Sequence, residues 1–66
     1  MKKISIYTTS NMPISVVLDD KTITLLKEKQ GEETIFTFPI YSDKEELIGE
    51  TTIDCLNITT LIEFNK

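Results

Sequence analysis

Apolar and polar residues alternate with period two along most of this chain, and that alternation restricts the folds open to it. Ile4 and Ile6 begin the pattern, and Ser10-Asn11-Met12-Pro13 breaks it. Ile14, Val16 and Leu18 come next, after which Asp19-Asp20-Lys21 reads as a tight turn. Ile23 and Leu25 continue the same face up to Gln30-Gly31-Glu32, where Gly31 is free to take a positive φ. Phe36, Phe38 and Ile40 form the most apolar run; a charged turn spans residues 42–46. Further strands are predicted over 47–53 and from Ile58 through Ile62 to Phe64. Turns every 8–12 residues or so mark an antiparallel meander. The residue choice agrees: Ile and Thr dominate while Ala, Arg, His and Trp are absent, and β-branched side chains suit a pleated, half-buried surface.

The expected fold is therefore all-β, a single domain over 1–66 with about five or six strands curled into a small barrel or sandwich. Pro39 cannot donate to a ladder, so its strand lies at an edge or bulges there, and Gly49 allows a bend in the next strand. Two stretches admit a helix. Ser42-Asp43-Lys44-Glu45 fits a capping box as well as it fits a hairpin loop. Residues 21–30 could form a helix capped by Asp20 and ended by Gly31, although the Thr22-Ile23-Thr24 alternation favours a strand. A helix at either place makes the fold α+β, with one short helix on the sheet.

Composition narrows the chemistry. A core of this size rarely supplies more than about 3–5 kcal/mol unaided. Cys55 is the only cysteine, so no internal disulfide can help and self-association is the simplest further source of stability. Histidine, the commonest group titrating near neutral pH, is missing. The alternation puts Cys55 on the face of Ile53 beside Asp54, which suits a buried thiol rather than a nucleophile. No phosphate loop, serine elbow or histidine-based metal motif is present, so no catalytic, cofactor or metal residues are assigned and no enzyme is expected.

The acidic pairs Asp19-Asp20, Glu32-Glu33 and Glu45-Glu46 lack the spacing of a calcium loop. They read as solvated turns, or as carboxylates gathered at one end of the sheet. A net charge of −4 argues against nucleic acid, whose affinity comes largely from Lys and Arg, and suits a basic protein partner. No apolar run is long enough to cross a bilayer. Lys2-Lys3 followed by Ile-Ser-Ile-Tyr is too short and too alternating for a signal-peptide core. A cytoplasmic setting is expected, in which the acceptor pattern Asn57-Ile58-Thr59 carries no meaning.

The second face of the strands is the most informative feature. Opposite the presumed core of Ile4, Ile6, Val16, Leu18, Ile23, Leu25, Phe36, Phe38, Ile40, Ile58, Ile62 and Phe64, the alternates include Ser5, Ser15, Thr37, Thr52 and Glu63. Val17, Leu26, Ile35, Tyr41, Ile48 and Leu61, with Tyr7, break that polarity at about one residue per strand. Aligned on neighbouring strands, those six would form an apolar stripe, the mark of an interaction site. The Ile4–Thr8 and Ile58–Phe64 strands carry no Pro and no inward charge, so either could add to a partner's sheet.

The stretch Phe38-Pro39-Ile40-Tyr41-Ser42-Asp43 through Leu47-Ile48-Gly49-Glu50 to Asp54-Cys55 resembles a hairpin of the dirigent and allene-oxide-cyclase-like barrels, over about a quarter of the chain. Those barrels are much longer and have further glycines where Thr51, Thr52 and Ile53 stand here; no activity is carried over. The functional expectation is a non-enzymatic, acidic binding or inhibitory module that self-associates as a homodimer. The abundant Ile, all-Lys basic residues and missing Ala suit an AT-rich genome, such as a low-GC bacterium or its phage, and hence a phage or mobile-element accessory protein. The alternatives are a structural subunit of a larger assembly such as a virion, and a small-ligand half-barrel completed by dimerisation.

Overall fold

The computed structural model describes residues 1–10 and 12–65. Five strands and one helix occur in the order β1 (Lys2–Thr8), β2 (Ile14–Leu18), α1 (Asp20–Lys29), β3 (Ile35–Tyr41), β4 (Leu47–Asp54) and β5 (Ile58–Glu63), with a 3₁₀ turn at Cys55–Asn57 between the last two. The sheet is antiparallel throughout, in the order β4-β3-β2-β1-β5. It does not close into a barrel, and the α+β alternative is the one that fits.

The expected strand over Ile23 and Leu25 is the helix. Asp19 caps it: its carboxylate accepts the Thr22 N–H at 2.7 Å, satisfying one of the donors that a helix start leaves free. Thr22, Ile23 and Leu26 are buried, at the i, i+3 and i, i+4 spacing of one helical face. Asp20 in the first turn and Lys27 and Lys29 in the last suit the helix dipole. The Thr-Ile-Thr alternation is overridden because Leu25-Leu26 cannot share a strand face, whereas Ile23 and Leu26 share a helical one. Past the C-cap, Gly31 takes φ 83°, and its N–H donates to the Cys55 carbonyl at 2.9 Å. The other helical option resolves as a hairpin loop: the Ser42 N–H donates to the Glu46 carbonyl at 2.8 Å, and Glu45 turns the chain at φ 64°.

The sheet is strongly curled, for a geometric reason. Its edge strands β4 and β5 stand four inter-strand spacings apart, roughly 19 Å in a flat sheet. The short link at Cys55–Asn57 spans at most about 14 Å even when fully extended. The two edges must therefore converge at that end. Hydrogen bonds from the Cys55 N–H to the Thr34 carbonyl and from the Thr9 N–H to the Asn57 carbonyl fix the convergence.

The concave face holds the core. Ile4, Ile6, Leu18, Ile23, Leu26, Phe38, Cys55 and Ile58 are buried there, with Val16, Phe36, Ile40, Ile53 and Leu61 packed against them. Leu25, Ile62 and Phe64 do not belong to this cluster, contrary to the period-two expectation. Leu25 lies off the buried helical face. Ile62 and Phe64 are partly exposed because Thr59 is an extra residue in β5: Tyr7 pairs with Thr60 but Thr8 with Ile58. One inserted residue moves every later side chain to the other face.

Candidate functional site

One side of the sheet is covered by α1, and the other has no covering element among the described residues. The pairing of β1 with β2 places Lys3 and Ser5 on this outer face opposite Val17 and Ser15. On β3 and β4 it carries Ile35, Thr37, Pro39 and Tyr41 opposite Asp54, Thr52, Glu50 and Leu47. Polar pairs lock parts of it: the Ser5 and Ser15 hydroxyls lie 2.9 Å apart, those of Thr37 and Thr52 2.8 Å.

The six stripe residues divide. Val17, Tyr41 and Ile48 come together on the outer face and line a shallow groove of about 310 Å³ with Lys3, Ser15 and Asp43. Val17 is buried beneath its neighbours and forms the floor, Tyr41 is half-buried, and Ile48 stands in solvent. Ile35 is also exposed, but it begins β3 beside Asp54, about 20 Å along the strand from Tyr41. Leu26 and Leu61 leave the stripe: Leu26 is fully buried in the core, and Leu61 packs against it opposite Ile6. Leu26 turns inward because it is helical, Leu61 because of the bulge at Thr59.

Leu47 belongs with the group, although the period-two pattern does not place it there. A second bulge explains it: Ile40 pairs with Gly49 but Tyr41 with Leu47, so Ile48 is the extra residue. Both side chains are left in solvent, Leu47 66% and Ile48 62% exposed. The bend-permitting Gly49 next to two apolar residues is the one signal of it in the sequence.

The surroundings are acidic. The hairpin loop and β4 bring Asp43, Glu45, Glu46 and Glu50 to this end, all exposed, against Lys3 and Lys44. Asp19 lies at the same end, because Val17 faces Tyr41. Its carboxyl is held below the usual aspartate range, first by the Thr22 backbone N–H and then by the Thr22 hydroxyl, with a smaller contribution from the Tyr41 hydroxyl. The third acidic pair, Glu32-Glu33, comes after the helix and lies at the opposite end of the sheet.

β1 is not an edge, since β2 and β5 flank it. The open edges are β4 and β5. Cys55 is buried, and burial pushes its thiol pKa up. Among the described residues no group of three or more His, Cys, Asp or Glu side chains could hold a metal ion, and no helix is long and apolar enough to cross a membrane. The chain matches no protein-family model, no curated protein and no solved structure.

Proposed function

We propose that this chain is a non-enzymatic binding module of the accessory or inhibitory kind. Its outer sheet face docks a protein partner that presents an apolar side chain ringed by Lys or Arg. The observation carrying this reading is the grouping of Leu47 and Ile48 in solvent beside Tyr41 and Val17, next to a loop and strand in which carboxylates outnumber lysines. Interface centres are rich in aromatic and aliphatic anchors, while the charged rim sets partner choice and encounter rate. The absence of histidine and the buried, high-pKa thiol support binding over catalysis.

Parallel capture from the source cell's lysate tests this, with the wild-type chain, Leu47→Asp and Leu56→Asp as baits. Leu56 is also exposed but lies in the turn at Cys55–Asn57, far from the groove. A basic protein held by the wild type and by Leu56→Asp, lost from Leu47→Asp and released by raised salt is the expected result. Equal retention by all three baits contradicts the reading.

A further inference from the structure

We infer that β5 is a self-pairing edge, through which two copies of this chain join across a two-fold axis into one continuous sheet. This extends the binding-module reading to a second surface, separate from the Tyr41–Ile48 groove.

The two open edges differ in charge. β4 carries Glu50 and Asp54 and comes directly after Glu46. Two-fold pairing of β4 with itself brings these carboxylates close to their copies, and like charges facing each other across strands destabilise. β5, with the sequence Ile-Thr-Thr-Leu-Ile-Glu, carries a single charge, Glu63. That carboxylate is already paired with Lys27 and, at 3.6 Å, with Lys2. β5 also has no Pro or Lys, residues with which natural edges are commonly blunted. Its bulge at Thr59 precedes the segment that pairs, and the charge of Glu63, which stands on the helix side opposite Ile4, is neutralised by these lysines.

The register is set by the hydrogen bonds to β1. The Phe64 N–H donates to the Lys3 carbonyl at 3.0 Å, and bonded pairs alternate along an antiparallel ladder. Ile62 therefore bonds inward to Ser5, its partner, while Leu61 and Glu63 turn their N–H and C=O groups to the open side. A two-fold axis at Ile62 pairs Leu61 with Glu63 of the second copy, and Glu63 with its Leu61, making four main-chain hydrogen bonds. It sets Ile62 against its own copy at the close, non-bonded position. Ile62 and Phe64 share the outer face and are 39% and 42% exposed, so pairing joins them into an apolar strip across the junction. No carboxylate meets its copy in this register.

Sedimentation equilibrium of the wild type, Ile62→Lys, Ile62→Glu and an equimolar mixture of the two variants tests the assignment. The wild type is expected to dimerise. Each variant alone should raise the dimer dissociation constant at least tenfold, and mixing them should restore a dimer. Circular dichroism checks that each variant stays folded. Amide exchange on the wild type supplies a readout without mutation: Leu61 and Glu63 should be protected at high concentration and exchange faster on dilution. A monomeric wild type, or variants that dimerise unchanged, overturns the proposal. Leu47→Asp should leave this dimer intact, so loss of the partner and loss of the dimer are separable results.

Discussion

Val17 on β2 faces Tyr41 on β3, and this is the one register pair that joins the three-stranded part of the sheet, β5-β1-β2, to the β3–β4 hairpin. The other adjacent strands pair over five or more positions. The junction therefore depends on side chains to an unusual degree, on Tyr41 outside and on Phe38, Leu18 and α1 within. Tyr41→Ala should lower unfolding stability by about 1–3 kcal/mol, measured by urea denaturation. Amide exchange should show the hairpin loosening before β1, β2 and β5.

The helix phase makes a sharper prediction. Leu26 is fully buried and Leu25 lies off the buried face. Leu26→Ala should cost about 2–5 kcal/mol, enough to unfold much of so small a domain, whereas Leu25→Ala should cost well under half as much. Equal effects in a denaturant titration would contradict the placement of α1.

The strands were legible in the sequence because alternation is a direct image of a pleated surface. Two things were not. Thr22-Ile23-Thr24 mimics a strand locally and outweighs the capped-helix option in the sequence, whereas in the fold the Asp19 cap and the shared face of Ile23 and Leu26 make the segment helical. The bulges at Ile48 and Thr59 insert single residues, the first signalled only by the bend-permitting Gly49 and the second by nothing in the sequence, and each shifts the phase of the residues on one side of it. That is why Leu61 moved inward, Ile62 and Phe64 outward, and Leu47 into the candidate site, while Val17, Ile35, Tyr41 and Ile48 kept their predicted side, Ile35 at the far end of its strand.

The cap at Asp19 ties stability to acid. Its folded pKa is lowered, so its contribution is complete above the unfolded value near 3.9 and is lost as pH falls through the folded value. Glu63, lowered chiefly by its hydrogen bond from Lys27, acts in the same direction. Stability should decline below about pH 4. Asp19→Ala should cost about 1 kcal/mol at neutral pH, and Asp19→Asn much less. Both should flatten the acid limb of a melting-temperature profile.

The two glycines should respond differently to alanine. Gly31 sits at φ 83° with open space around it, so Gly31→Ala should destabilise by about 1 kcal/mol through backbone strain alone. Gly49 has open space and no positive φ, so Gly49→Ala should be close to neutral. Thermal melts of the two variants compare them directly.

Amide chemical-shift mapping with the captured basic partner tests most directly whether the bare sheet face is where that partner sits. Perturbations are predicted to centre on Lys3, Val17, Tyr41, Leu47 and Ile48 and to shrink as salt rises. Perturbations centred on α1, or spread evenly over the molecule, would contradict the account.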